Sequence, residues 1–334
     1  MPDHISPDHV MPERLSGRER VSVVATVRNE RHALPAFLDA ILGQTRSPDE
    51  VIVVDGGSRD GSLELLVEQA SIRPELRVER LAGANISEGR NAAIRVATGS
   101  VIAVTDAGTV AAPDWLARLV EPFEDDAEVG VASGWFRPGG RAWFERCLGA
   151  VITPHLLEVD AERFLPSSRS VAFRRGWWER VGGYPEWLSH CEDLVFDLEL
   201  RRLGALFVFS PDAVVTWSAR SSLPRFFRQY FLYARGDGQA GLWPRRHLAR
   251  YSSYAAGLAL LTARRRLARI TLVAGGVIYV AKFERRIWRH LHWSSDLPVT
   301  VALAPVVVVT GDVAKMLGYP VGLLRRCRAS IARR

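Results

Sequence analysis

From Val21 onward, short apolar β-branched runs alternate with segments whose apolar residues fall at helical spacing. Residues 21–26 (VSVVAT) form the first run, 33–44 (ALPAFLDAILGQ) a helical stretch, and 51–55 (VIVVD) a second run. The alternation continues with a helical 62–70, a strand-like 76–81, a helical 87–98 and an apolar 101–106. Strands that are apolar on both faces and alternate with helices predict an α/β fold, with a mostly parallel central sheet covered on both sides. Ligands in such sheets bind at the carboxyl ends of the strands.

Three of those ends carry polar chemistry. The first run leads into Val27-Arg28-Asn29-Glu30, the second into Asp55-Gly56-Gly57-Ser58-Arg59-Asp60-Gly61-Ser62, and the last into Asp106-Ala107-Gly108-Thr109. The second segment alone is an ordinary turn, in which Asp60 or Ser62 caps the next helix. Three polar ends converging on one sheet edge argue for a site. One strand-end carboxylate can accept hydrogen bonds from a ribose or an imide N–H, and another can hold a divalent metal on a diphosphate. Further along, Glu192-Asp193 precedes a helical 194–204. Acids there suit general-base chemistry, and they are also what the helix dipole favours in a first turn.

Taken in order, these segments resemble the family-2 inverting glycosyltransferases with the GT-A fold, over about residues 20–240. VRNE is similar to the family's first-strand loop, VVDGGSRDGS to its nucleotide-binding acidic turn, and GRNAAIRVATGSVIAVTDAG to the helix and strand leading to its metal-binding DxD motif. The segment from Ser168 to Val215, with a GGY turn, the Glu-Asp pair and a PDA strand, is similar to the acceptor half. The resemblance implies that Thr26, Asn29 and Glu30 line the base and ribose pocket, that Asp55 contacts the nucleobase, and that Ser58 and Asp60 sit close by. It further implies that Arg90 and Asn91 approach the sugar nucleotide, that Asp106 faces the metal and diphosphate, and that Asp193, beside Glu192, is the general base. Residues 229–236 (QYFLYARG), with Gln229 and Arg235, are similar to the loop that closes over diphosphate and acceptor, with His247 beyond them as an extra ligand; a membrane-facing amphipathic helix is the equal alternative for this aromatic stretch. Asp106-Ala107-Gly108 lacks the second carboxylate of DxD. A Mg or Mn ion held by Asp106 and phosphates, and a metal-free variant using arginines, both stay open.

Charge divides the chain. Residues 1–217 hold 23 basic against 33 acidic residues, net −10, and residues 218–334 hold 21 against four, net +17. A basic tail in which arginines flank apolar runs points to anionic lipid, and not to nucleic acid, which would meet a basic core. The runs at 255–261, 270–281 and 299–309 are shorter than the roughly 17–20 residues of a bilayer span. Helices lying in or dipping into the cytoplasmic leaflet of the inner membrane are expected; a short span and a buried helical subdomain are the alternatives. Residues 1–19, with His4 and His9, read as a mobile leader without a secretory signal. The expected organisation is thus leader 1–19, transferase 20–240 and helical membrane-associated region 241–334. Three scattered cysteines (Cys147, Cys191, Cys327) exclude a zinc knuckle and a disulfide framework. A nucleotidyltransferase would need a Gly-rich phosphate loop after the first strand, which VRNERHALP is not. The reading is an inverting transferase moving a sugar from a nucleotide-diphosphate donor to a lipid-linked or polysaccharide hydroxyl. An inactive homologue serving as a scaffold is the alternative.

Overall fold

The computed structural model describes residues 18–263 and 265–332; most of the expected leader, including His4 and His9, lies outside the described residues. The first half consists of β1 (Val21–Val27), α1 (Leu34–Leu42), β2 (Glu50–Asp55), α2 (Ser62–Ile72), β3 (Leu76–Arg80), α3 (Ile86–Val96) and β4 (Val101–Val104). Every boundary lies within two residues of the sequence expectation. The second half adds β5 (Thr109–Ala111), α4 (Trp115–Asp125), β6 (Val129–Gly139), α5 (Trp143–Ile152), β7 (Val171–Arg174), α6 (Arg175–Val181), α7 (Glu192–Arg202) and β8 (Leu206–Ser218).

All eight strands form one sheet in the order β3-β2-β1-β4-β7-β6-β8-β5. The first four run parallel. β7 then reverses direction against both β4 and β6, and β5 reverses against β8, so the second half is mixed. Alternation along the strands divides the core. Val21, Val23 and Ala25 pack with Phe37, Leu66 and Trp115 on one face, while Val24, Ile52, Val54 and Ile102 pack with Ile94, Phe173 and Phe196 on the other. Each inner strand is therefore buried twice, which is why it reads as a continuous apolar run.

α3 is placed by two local devices. The Asn85 side chain accepts the Glu88 N–H (3.0 Å) while Glu88 accepts the Asn85 N–H (2.7 Å), a reciprocal cap that fixes where the helix starts. Gly89 then lies so close to Thr26 that a Cβ would meet its methyl group at 2.7 Å. The absent side chain brings Arg90 to the ends of β1 and β4.

Four helices follow: α8 (Leu223–Ala240), α9 (Pro244–Thr262), α10 (Arg266–Leu291) and α11 (Leu297–Ala332). The expectation that the apolar runs stay too short for a membrane is corrected by α11, whose Leu297–Ala329 part is long and apolar enough to cross one. The sequence count stopped at Val309; three residues on, the Asp312 carboxylate is spent on Arg250 (2.8 Å) and on the hydroxyls of Tyr254 and Tyr279, so the helix carries it onward. Of the apolar window, 39% is buried against the rest of the protein, so part of this helix is core. α8 and α11 pack backbone to backbone. A side chain on Gly238 would collide with the backbone of Tyr319 and Leu323, and one on Gly318 or Gly322 with that of Phe231 or Arg235.

Candidate active site

The loops after β1 and β2 are tied together by hydrogen bonds. Asp55 is fully buried, and its Oδ1 accepts the N–H groups of Gly57 (2.9 Å) and Ser58 (3.1 Å). That turn needs Gly57 at φ +93°, a region closed to most side chains. The Asn29 N–H donates to Ser58 Oγ (2.9 Å), and Asn29 Oδ1 accepts the Arg59 N–H (2.8 Å). Asp60 accepts from the Arg31 and Ser62 N–H groups, and Ser62 Oγ accepts from the Glu30 N–H (3.0 Å). The ordinary-turn reading of Asp60 is thus satisfied, and the same bonds leave the segment around Asp55 rigid. Glu30 is half-buried; burial raises its carboxyl pKa, with Asp106 and Asp60 adding to the rise and Arg220 opposing it. Thr26 lies beneath α3.

Arg90 joins the two halves of the chain. It is almost fully buried, donating to Asp106 Oδ1 at the end of β4 (2.8 Å) and to Glu192 Oε1 at the start of α7 (2.9 Å), with its guanidinium over the Tyr184 ring. Burial works against that cation, and the two carboxylates more than offset it, so its pKa rises. Burial, reinforced by the Asp193 charge, pushes the Glu192 carboxyl up to about 7 against the pull of Arg90. The neighbours Glu192 and Asp193 consequently differ. Asp193 is half-exposed, its Oδ1 accepts the Leu194 N–H (2.8 Å), and among the described residues its Oδ2 has no hydrogen bond. A carboxylate with a free oxygen beside fixed cations can accept a proton from a hydroxyl.

Three groups at this site carried no assigned role in the sequence. Arg169 reaches to 3.9 Å from Asp106 Oδ2 and stacks on Trp217 and Phe136. Tyr184 closes the second cluster, stacked on Phe196. Asp197 is buried one turn beyond Asp193 with its Oδ2 unpartnered, and burial, then the Asp193 charge, holds its pKa well above the carboxylate range. The signal available for Arg169 was its place in the acceptor-half segment; for Asp197, one turn from Asp193 on a helical pattern.

Other expected site residues lie elsewhere. Asn91 does not face the cleft: its amide donates to Tyr184 O and Glu186, and its oxygen accepts from Trp178 and the Tyr184 N–H, which uses all its hydrogen-bonding capacity on the GGY turn. His247 is buried in α9 against Asp237 (3.2 Å) and stacked on Tyr319, so it belongs to the helical tail. Gln229 is buried and donates to the Tyr233 hydroxyl (2.8 Å), which reaches toward Arg169. Arg235 donates to Ser189 Oγ (3.1 Å), beside His190.

For a divalent cation the donor set is small. Among the described residues no group of three His, Cys, Asp or Glu could hold one. Asp106 keeps Oδ2 free of a hydrogen bond while Oδ1 is committed to Arg90. One carboxylate oxygen fits a hard cation that takes its remaining ligands from phosphate and water.

A parallel half-sheet whose ends gather acids around a buried arginine, joined to a mixed half that adds an acidic helix start, is an arrangement of the GT-A type. Residues 22–172 match the model of glycosyl transferase family 2. The chain is 33% identical over 114 residues to an uncharacterized glycosyltransferase of Nostoc sp., covering 34% of this chain and 35% of that one. It is 38% identical over 110 residues to the undecaprenyl-phosphate 4-deoxy-4-formamido-L-arabinose transferase of Pectobacterium atrosepticum, covering 31% and 33%. The matches thus span about a third of these relatives' length. A solved mannosyltransferase of Pyrobaculum calidifontis, in complex with GDP-Man and Mn2+, shares the fold with a TM-score of 0.63 and 23% identity, over 90% of this chain and 88% of that one. Residues 22–172 are thus similar to the family 2 glycosyltransferases, and the chain has the GT-A fold of that mannosyltransferase.

Proposed function

We propose that the protein transfers a sugar from a nucleotide-diphosphate donor to a hydroxyl of a lipid-linked or polysaccharide acceptor, with inversion, at the cytoplasmic face of a bacterial inner membrane. The observation that carries this reading is the free Oδ2 of Asp193 beside the Arg90 cluster. In this reading residues 20–240 are the transferase and 241–334 the membrane-associated region.

Thr26, Asn29 and Glu30, with Asp55 and Ser58 behind them, receive the nucleoside, and their mutual hydrogen bonds hold the pocket in shape before the donor arrives. Arg90 fixes Asp106, and Arg169 brings a second cation to the same carboxylate, where the diphosphate charge collects. Asp193 Oδ2 takes the proton of the acceptor hydroxyl as that oxygen attacks the anomeric carbon opposite the leaving diphosphate. Glu192 and Arg90 hold the start of α7, and with it Asp193, in place. A Mg or Mn ion on Asp106 Oδ2 would neutralise charge on the departing diphosphate.

Asp106→Ala is expected to lower nucleotide-diphosphate affinity and its dependence on divalent cation together. Calorimetry with and without Mn²⁺, for wild type and variant, reads both. Identical binding in all four titrations would remove the metal role and leave the charge to the arginines.

The membrane part of the reading is supported by α9 and α10. Leu258, Leu261, Leu267, Ile270, Val273 and Val277 are all more than half exposed, and Arg265, Arg266 and Arg269 stand among them. An apolar tip ringed by arginine suits the interface of an anionic leaflet, at about 1 kcal/mol per basic residue. Flotation with phosphatidylglycerol vesicles should show binding that is released near 1 M salt, where screening shortens to about 3 Å. Retention through salt and carbonate would replace the surface helix with a span, and absence of binding would end the membrane reading.

A further inference from the structure

Most buried or half-buried arginines of this protein carry a carboxylate partner: Arg90, Arg146, Arg174, Arg250 and Arg286 all do. Three arginines around His190, the half-buried Arg235 and the exposed Arg220 and Arg228, do not. Among the described residues, Arg220, Arg228 and Arg235 have no acidic oxygen within 4.0 Å. Arg228 and Arg235 are seven residues apart on α8 and so share one helix face, and Arg220 stands just before that helix.

All three cations act on one place, the His190 ring: burial first, then the charges of Arg235, Arg220 and Arg228, bring its pKa down to about 4. Arg235 is further anchored by its bond to Ser189 Oγ. Gly236 is pressed against the His190 carbonyl and Cys191 Sγ, which fixes α8 to the loop that leads directly into Glu192 and Asp193. On the far side Arg325 of α11 adds another like charge to Arg235. Cations gathered on a fixed support without counter-charge make an anion site.

Resting on the transferase reading above, we propose that Arg220, Arg228 and Arg235 bind the phosphate of a lipid-linked acceptor, holding the acceptor beside Asp193. The donor's diphosphate has its own cations, Arg90 and Arg169, at Asp106. The α8 arginines instead flank the loop that leads into Asp193 and adjoin α11, the one long apolar helix among the described residues. A bilayer headgroup is the poorer occupant, because the more than half-exposed apolar side chains flanked by arginine that suit a leaflet cluster on α9 and α10.

The test uses the full chain in dodecyl maltoside micelles carrying dodecyl phosphate, and compares wild type with Arg228→Gln/Arg235→Gln and Arg228→Lys/Arg235→Lys. Thermal melts confirm that each variant is folded. The Gln pair should weaken dodecyl-phosphate binding at least tenfold, the scale of losing two charge-assisted hydrogen bonds. The Lys pair should recover most of it. UDP, GDP and dTDP affinities and phosphatidylglycerol-vesicle binding should change less than threefold. Unchanged dodecyl-phosphate binding overturns the proposal. So does a parallel loss of nucleotide binding, which would give these arginines to the donor, or of vesicle binding, which would give them to headgroups. Failure of the wild type to bind any of the three nucleotides would strike the transferase reading instead, while the dodecyl-phosphate comparison still decides the arginine site.

Discussion

Asp193→Asn is expected to leave the fold and nucleotide-diphosphate binding intact and to lower sugar transfer by roughly 10²- to 10⁴-fold. Asparagine keeps the shape and can still accept the Leu194 N–H that Asp193 Oδ1 accepts now. What it loses is the basic oxygen with no other partner. Glu192 does not substitute, because its carboxylate is turned into the protein against Arg90 and is nine-tenths shielded from solvent. A direct transfer assay, run beside a nucleotide titration, separates chemistry from binding. Turnover above about half of wild type would remove Asp193 as the base.

Arg90→Met should be the most damaging single change for stability. It leaves Glu192 buried without its cation and Asp106 without its anchor. Removing one partner of a buried ion pair costs about 3–5 kcal/mol; here the Asp106 limb, 31% exposed, is discounted for solvent screening, so the Glu192 limb dominates. The loss should depend on pH. In the wild type the Glu192 pKa is already raised by burial to about 7, and without Arg90 it rises further. A raised carboxyl favours the folded state while protonated and loses that contribution as pH climbs through the folded value. The variant should therefore melt closer to wild type at pH 6 than at pH 8. Equal deficits at both pH values, or a deficit under about 1 kcal/mol, would show that Arg90 does not carry the cluster.

The geometry at the strand ends was legible because it is local. Each polar loop follows directly on an apolar strand, and β2, β1 and β4 lie side by side, so the order of segments already brings Asp55, Asn29 and Asp106 to one edge. The acceptor side forms by contact between distant segments, and no spacing rule announces that Arg169 meets Asp106 or that Arg235 meets Ser189. Asn91 misled through adjacency: successive helical residues point about 100° apart, so Arg90 turns to the cleft and Asn91 to the turn at Tyr184. His247 misled through type, since a histidine among arginines suggests a ligand until Asp237 is seen against it. The third apolar run was ended at Val309, ahead of Asp312, and only packing supplies that acid's arginine and tyrosines, which let the helix continue past it.

The contact between α8 and α11 has a consequence for handling the protein. Gly238, Gly318 and Gly322 leave no side chains between the two backbones to absorb a shift. Tilting α11 therefore moves Tyr233 and Arg235 as if on a rigid lever. Shortening the chain after α9 would strip the inner support from the helix that carries Tyr233 and Arg235, and under the membrane-associated function proposed above, lipid mixtures of different thickness should tune turnover through the same lever.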